Sequence, residues 1–135
     1  MTVETTKEVM LKYMRSNHSD VSMMAEGVLF TNMASGDETR GPQAVLQMLN
    51  YMYRIAFQAG FEASTTIFTE DHAVLEGYFY GTHVGEFAGI PATGREVRVP
   101  MCGVYDLEGG KIVAGRIYYE LPVLMAQLSA SPAPV

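Results

Sequence analysis

The sequence has one cysteine, no tryptophan and no long apolar run. A single cysteine excludes an internal disulfide and any metal site built on paired cysteines, and it fits a reducing compartment. No run approaches the roughly 18 apolar residues of a membrane span, and the N-terminal residues carry no apolar signal segment. These absences predict a soluble cytoplasmic protein.

Basic residues are also scarce. Nine Lys and Arg stand against 15 Asp and Glu, which gives a formal net charge of -6, and the basic residues form no cluster. This balance argues against nucleic acid and against a membrane surface as partners. At 135 residues, of which 48% are hydrophobic, the chain is predicted to form one globular domain around one core. The ten methionines suit an irregular core or the wall of a pocket for a bulky ligand.

Hydrophobic periodicity predicts helices first and antiparallel strands after them. The helices are predicted at 3–16, 21–25, 42–57 and 121–128. The strands are predicted at 27–33, 61–70 and 72–82 and in a hairpin over 100–120, with a loop at 81–94. This order is an α+β pattern, in which the N-terminal helices pack on a strongly curved antiparallel sheet to give a cone-shaped barrel. The domain is predicted to span 1–128, with a flexible tail at 129–135.

The hairpin over 100–120 holds the best candidate for chemistry. A turn centred on Glu108 and Gly109 places Met101 opposite Arg116. Since side chains alternate along a strand, one face then forms an apolar wall with a carboxylate, Glu120, at its end. The residues predicted on that face are Val99, Met101, Gly103, Tyr105, Ile112, Ala114, Arg116, Tyr118 and Glu120. A carboxylate in this position suits acid/base catalysis.

The opposite face of the hairpin is predicted to be apolar as well. Its residues are Cys102, Val104, Val113, Ile117 and Tyr119. The N-terminal helices cannot cover both faces, and a contiguous exposed apolar patch is unusual on a soluble monomer. The pattern therefore predicts a homodimer that packs through this face, with Val104 and Ile117 at its centre.

The stretch from Gly81 to Arg95, GTHVGEFAGIPATGR, resembles the signature of the SnoaL-like polyketide cyclase family, within the nuclear-transport-factor-two-like superfamily of cone-shaped α+β folds. The segments 110–112, 116–120 and 127–128 are also similar to the family's pattern. The resemblance implies an intramolecular aldol ring closure on a polycyclic polyketide ester, a hydrophobic small molecule, without a cofactor. An aspartate at the end of the last strand serves as general acid/base in that family. Glu120 stands at this position and is one methylene longer.

The residues and the resemblance together give a set of candidate site residues. Glu120 is predicted as the acid/base, Tyr118 as a donor to an enolate oxygen, and His83 as the histidine of the motif. The predicted substrate-binding residues are Arg116, Asn32, Met48, Met52, Tyr53, Met101 and Tyr105. No cluster of side chains has metal-ligand spacing, so no metal is predicted. His18 and His72 lie in polar turns and are predicted at the surface.

Other interpretations stay open. Glu120 and Arg116 are close enough in sequence to form a structural ion pair rather than a catalytic site. A non-catalytic carrier of an apolar ligand would use the same Met- and Tyr-rich wall, and a hydroxylase-like protein is also compatible with the resemblance. An epoxide hydrolase is disfavoured. Related enzymes of that type use an Arg and an Asp on the penultimate strand, where this chain has Met101, Gly103 and Tyr105.

Overall fold

The computed structural model describes residues 1–129 as helices packed on one curled sheet. The helices are α1 (Val3–Arg15), α2 (Pro42–Asn50), a π-helical turn (Tyr51–Ile55) that continues α2, and α3 (Leu121–Ser129). The strands are β1 (Met24–Asn32), β2 (Glu38–Arg40), β3 (Phe57–Phe68), β4 (His72–His83), β5 (Glu96–Glu108) and β6 (Lys111–Tyr119). Ser129 belongs to α3, and the rest of the predicted tail lies outside the described residues. No helix in this part of the chain is long and apolar enough to cross a membrane.

The six strands lie in the order β2-β1-β6-β5-β4-β3. Neighbouring strands are antiparallel, except that β1 and β6 run parallel. The sheet curls around the helices without closing, so β2 and β3 remain as edges. The predicted α+β class, with helices on a strongly curved sheet, is confirmed. One strand pair departs from the predicted antiparallel sheet, because β1 runs parallel to β6.

Helix α1 packs on the core and ends in a turn of left-handed backbone conformation. The Thr2 side chain caps its first turn, and the helix buries Met10 and Tyr13. It ends in a left-handed turn, with φ of 51° at Asn17 and 59° at His18. Asn and His adopt this conformation more readily than most residues do. The turn directs the chain back toward the sheet.

The predicted short helix at 21–25 is wrong. Val21 begins a turn in which the Met24 N–H bonds to the Val21 C=O (3.0 Å), and β1 starts at Met24. Met24 pairs with Ile112 of β6, and both Met23 and Met24 are buried. Helical periodicity over five residues is weak evidence, because a single helical turn is unstable without tertiary support. Pairing with the sheet decides the structure here.

Helix α2 passes through its π-helical turn before the chain becomes a strand. The bond from the Ala56 N–H to the Tyr51 C=O (2.7 Å) spans five residues, which is the π-helical pattern. The turn carries Tyr53, which is buried. Phe57 was predicted as the last helical residue and instead opens β3, with Gly60 inside that strand. An apolar run of this kind fits a helix and a strand equally well.

The β5–β6 hairpin turns one residue later than predicted. Its turn residues are Gly109 and Gly110, both with positive φ (56° and 78°), a conformation that glycine adopts without strain. The predicted pairing of Met101 with Arg116 is wrong, because Met101 lies opposite Tyr119.

A bulge in the hairpin explains why the two faces of β6 carry different residues from those predicted. The register shifts between the pairs Leu107–Ile112 and Asp106–Ala114, so β6 holds one extra residue there. One inserted residue moves every later side chain to the other face of the strand. The concave face carries Met101, Gly103, Tyr105, Ile117 and Tyr119, and the convex face carries Cys102, Val104, Arg116 and Tyr118.

Helix α3 is attached to β5 beyond the end of β6. The Gln127 amide donates to the Arg98 C=O (2.8 Å), and the Arg98 N–H donates to the Gln127 side-chain oxygen (2.9 Å). Gln127 thus bonds to the strand backbone as a paired strand would. Leu124 and Leu128 are buried beneath the helix.

Candidate functional site

A cavity of about 330 Å³ lies between the concave face of the sheet and the helices. Its apolar wall comes from Phe30, Met48, Leu49, Met52, Phe61, Leu75, Phe79, Phe87, Met101, Gly103 and Ile117. Its polar side chains are Tyr13, His18, Thr31, Asn32, Asp37, Thr39, Tyr51, Tyr53, Tyr105 and Tyr119. A mainly apolar concave site with a few polar groups is the usual form of a small-molecule site.

Six of the seven predicted substrate-binding residues are in this wall. They are Asn32, Met48, Met52, Tyr53, Met101 and Tyr105. The three positions on α2 and its π-helical turn reach the cavity because the helix buries one side against the sheet. Contact with a ligand stays a prediction for all six.

Arg116 and Tyr118 lie outside the cavity, on the convex face. The Arg116 guanidinium donates two hydrogen bonds to the Asp106 carboxylate (2.8 and 2.9 Å). This contact lowers the pKa of Asp106 below its ordinary value. Tyr118 is 43% exposed. The prediction that both share a face with Met101 is therefore wrong, and the bulge in β6 is the cause.

Glu120 also lies outside the cavity. It precedes α3, where its C=O accepts the N–H groups of Val123 and Leu124 (3.0 and 3.2 Å). Its exposed side chain borders a separate groove on the convex side, together with Glu76, Tyr78, Pro100, Cys102 and Tyr118. In the described part of the chain, only Met101 and Tyr119 border both this groove and the cavity. Acid/base work by Glu120 inside the cavity does not fit this placement.

His83 lies behind the cavity wall rather than in it. It is fully buried and packs on Phe57, with ring centroids 5.2 Å apart. Its Nδ1 accepts the Thr93 N–H (3.2 Å) and lies 2.9 Å from the Thr93 hydroxyl. The His83 C=O accepts the Gly94 N–H, and its N–H donates to the Arg95 C=O. His83 therefore holds the loop of the signature motif, the loop that carries the cavity residue Phe87.

His18 is the functional candidate that sequence reasoning missed. It is 6% exposed and lines the cavity, so its predicted surface position is wrong. Its ring stacks on Tyr53 (centroids 4.1 Å apart, 12° between planes) and meets the edge of Tyr13 (5.1 Å, 85°). Its Nδ1 is buried and has no hydrogen-bond partner among the residues that the structure describes. Burial, and secondarily the nearby charge of Arg54, lower the pKa of His18 to about 4, so the imidazole is neutral at pH 7.

The π-helical turn holds His18 in place. Tyr53 provides the stacking surface, and the next residue, Arg54, donates to the Asn17 C=O and to the Asn50 side-chain oxygen (2.9 Å). One short segment thus fixes both the imidazole and the left-handed turn that carries it. The only sequence signal was the Asn17-His18 pair directly after a helix, since both residue types tolerate positive φ.

Three buried tyrosines line the cavity in one cluster with His18: the rings of Tyr13 and Tyr53 contact the imidazole, and the ring of Tyr105 meets that of Tyr13. Burial raises the pKa of Tyr13, Tyr53 and Tyr105 far above the ordinary value, so all three stay protonated. Within residues 1–129, the Tyr13 hydroxyl is buried without a hydrogen-bond partner, and the Tyr53 hydroxyl has a single hydrogen-bond contact, to the Met101 sulfur (3.9 Å). The site thus combines one neutral proton acceptor with several proton donors.

A second polar group lies where β1 and β6 end. Asn32 and Tyr119 are hydrogen-bonded to each other there (3.3 Å). Asp37 is exposed and is the only carboxylate that lines the cavity within residues 1–129. The same residues contain no group of three or more His, Cys, Asp or Glu side chains placed to hold a metal ion.

The fold and the cavity define a class: a small α+β protein whose curled sheet and helices enclose a mainly apolar cavity. The sequence profile of the SnoaL-like polyketide cyclase family matches residues 12–128. The chain belongs to this family. No curated protein matches the sequence.

Solved structures show the same fold. A candidate SnoaL-like polyketide cyclase from Jannaschia sp. CCS1 has a TM-score of 0.85 and 20% identity, covering 96% of this chain and 94% of that one. AclR, a candidate hydroxylase from Streptomyces galilaeus, has a TM-score of 0.78 and 19% identity over 100% and 91% of the two chains. A protein with a ketosteroid isomerase-like fold from Catenulispora acidiphila, in complex with trimethylamine, has a TM-score of 0.73 and 17% identity over 94% and 99%. At these identities the likeness establishes the fold and leaves the reaction open.

Proposed function

We propose that this protein binds a hydrophobic polycyclic ketone ester in its cavity and closes a ring by an intramolecular aldol reaction, without a cofactor. The observation that carries the proposal is the buried His18 in a cluster with three tyrosines in the wall of an apolar cavity. Membership of the SnoaL-like polyketide cyclase family supports the substrate class. An apolar ring system fits a wall built mainly of methionine and aromatic side chains.

The chemistry needs one base and one acid. The neutral imidazole of His18 takes a proton from the carbon next to a carbonyl, and the resulting enolate carbon forms a bond to a second carbonyl carbon. That carbonyl becomes an alkoxide, which takes the proton back from the imidazolium. No electrons enter or leave the system, so no cofactor is required. Tyrosine hydroxyls that stay protonated donate hydrogen bonds to the enolate and alkoxide oxygens.

The low pKa of His18 limits its strength as a base in this reaction. An imidazole with a pKa of about 4 is ready to accept a proton at neutral pH, but it is a weak base. Proton transfer therefore depends on stabilisation of the enolate by hydrogen-bond donors in the wall, which act more strongly in a mainly apolar cavity than in water. The hydroxyls of Tyr53 and Tyr105, which line the same cavity, are the proposed donors.

A second candidate function is non-catalytic binding of the same kind of ligand. The observation that favours it is that the wall contains no buried carboxylate within the described part of the chain, since Asp37 is exposed. Epoxide hydrolysis remains disfavoured, because the concave positions of β5 are Met101, Gly103 and Tyr105.

The test is incubation of the purified protein with a series of ring-open polycyclic β-keto esters, with no cofactor added. Ring closure, followed by absorbance and product analysis, is the expected result. Tight binding without ring closure would favour the carrier, and the absence of binding would contradict both functions.

We also propose a homodimer formed through the convex face of the sheet. Ile117 and Tyr119 face the cavity, so they do not belong to the proposed interface, although the sequence predicted them there. The partly or fully exposed apolar and aromatic residues on this face are Val74, Tyr78, Tyr80, Cys102, Val104 and Tyr118. Its charges are partly neutralised within the chain, since Arg116 bonds to Asp106 and Arg98 bonds to Glu62. A face of this composition suits a two-fold interface. The cytoplasmic location stays a prediction.

A further inference from the structure

The orientation of the Asn32 amide is fixed by its neighbours. Its side-chain oxygen accepts the N–H groups of Ala34 (2.9 Å) and Ser35 (3.2 Å) in the turn that follows β1. Only the oxygen of an amide side chain accepts hydrogen bonds, so the atom on the other side is the NH₂ nitrogen. Asn32 is therefore held by the backbone, with its donors directed away from the turn.

This orientation also determines the role of the Tyr119 hydroxyl. The Asn32 nitrogen donates to the Tyr119 oxygen (3.3 Å), so that oxygen is an acceptor in this contact. The hydroxyl proton of Tyr119 and the second proton of the Asn32 nitrogen remain for another acceptor. Both side chains line the cavity. Two donors thus border a cavity that is otherwise mainly apolar.

We propose that Asn32 and Tyr119 form a donor pair that binds the carbonyl oxygen of the ligand, and that this pair selects ketone-bearing ring systems over hydrocarbons of the same shape. The inference rests on the proposed function, because it takes the cavity as the ligand site. Donors without a partner in an apolar site favour an acceptor and gain little from a methylene group. An oxygen that gains negative charge, as in an enolate, would be held more strongly still.

The donor pair is distinct from the cluster around His18. Met101 lies between the two groups: its sulfur is 3.9 Å from the Tyr53 hydroxyl, and its partner across the β5–β6 pairing is Tyr119. A ligand that spans the cavity therefore meets polar groups at two separate places with an apolar surface between them. The spacing of its carbonyl groups must match the distance between the donor pair and the cluster around His18. A single polar cluster would not impose this constraint.

The test uses two probes that differ at one position, 9-fluorenone and fluorene. Both are flat three-ring molecules, and only fluorenone carries a carbonyl oxygen. Dissociation constants are measured by absorbance or fluorescence titration for the wild type and three variants. Tyr119→Phe removes only the hydroxyl. Asn32→Asp keeps the acceptor that holds the turn and removes the donor. Tyr118→Phe is the matched control, since the neighbouring hydroxyl lies on the convex face.

The wild type is expected to bind fluorenone about tenfold more tightly than fluorene, the difference that one hydrogen bond gives. Tyr119→Phe and Asn32→Asp should weaken fluorenone binding roughly tenfold and leave fluorene binding unchanged, while Tyr118→Phe should change neither. Equal binding of both probes by the wild type, or equal losses for both in Tyr119→Phe, would overturn the donor pair and leave the cavity as the ligand site. Failure of the wild type to bind either probe would overturn the donor pair together with the proposed function.

Discussion

His18 stacks face to face on Tyr53, with ring centroids 4.1 Å apart and ring planes 12° from parallel. The two residues belong to different segments, the turn after α1 and the π-helical turn after α2, and Arg54 joins these segments through its bond to the Asn17 C=O. The stacking keeps the imidazole buried and neutral at the cavity wall. The proposed acid/base role of His18 depends on this contact.

The stability of the fold should depend on pH through His18. Its pKa is about 4 in the folded protein, and an exposed histidine titrates near 6.5, so the unfolded chain binds the proton first as the pH falls. The contribution of the neutral imidazole is fully present above pH 6.5 and is lost progressively as the pH falls from 6.5 toward 4. The complete loss is on the order of 3 kcal/mol.

This dependence is measured by urea unfolding of the wild type and of His18→Asn at several pH values between 7 and 4.5. Asparagine tolerates the positive φ at this position and does not titrate. The difference in unfolding free energy between the two proteins should shrink as the pH falls. A difference that stays constant over this range would show that His18 is not buried in its neutral form.

Gly103 makes room for the Tyr105 ring in the cavity wall. A Cβ atom at position 103 would lie 2.6 to 2.8 Å from ring atoms and the hydroxyl of Tyr105, closer than unbonded atoms approach. Gly103→Ala should therefore displace this ring, lower the unfolding free energy by roughly 1–3 kcal/mol and weaken ligand binding. Thermal denaturation and titration with fluorenone measure the two effects. A variant with wild-type stability and affinity would contradict the packing of Tyr105 described here.

The convex face should carry the dimer contact. Val104 is partly exposed at the centre of this face, and Val104→Glu would bury an additional carboxylate in the interface, beside an Arg116 that Asp106 already neutralises. Sedimentation velocity at tens of micromolar should show a dimer for the wild type and a monomer for the variant. Ile55→Glu is the control, because this exposed apolar residue lies on the π-helical turn, away from the sheet. A wild-type monomer, or a variant that remains a dimer, would exclude this interface.

Much of the fold could be predicted because its signals are local. Turn residues and alternating apolar residues marked β3, β4, β5 and β6, and the signature motif from Gly81 to Arg95 identified the family. The parallel pairing of β1 with β6 could not be predicted, because it joins segments far apart in the chain. The helix predicted at 21–25 was wrong for the same reason. These residues form a turn and the start of β1, and the pairing of β1 with the distant β6 decides this structure.

The site shows how a local irregularity changes a functional prediction. The cavity residues Met48, Met52 and Tyr53 followed from helical periodicity. Glu120 was assigned to the cavity from strict alternation along β6, and one bulge residue near the hairpin turn reversed that assignment. His18 was missed because its burial depends on Tyr53 and Arg54, which no spacing in the sequence connects to it.

The most direct test of the account compares two variants in one ring-closure assay on a ring-open polycyclic β-keto ester. His18→Asn removes the buried imidazole, and Glu120→Gln removes the carboxylate that borders the convex groove. Circular dichroism confirms that both variants are folded. If His18 is the base, His18→Asn should lower kcat by roughly 10²- to 10⁴-fold, while Glu120→Gln should stay within a few-fold of the wild type. A large loss in Glu120→Gln together with near-normal activity in His18→Asn would contradict it.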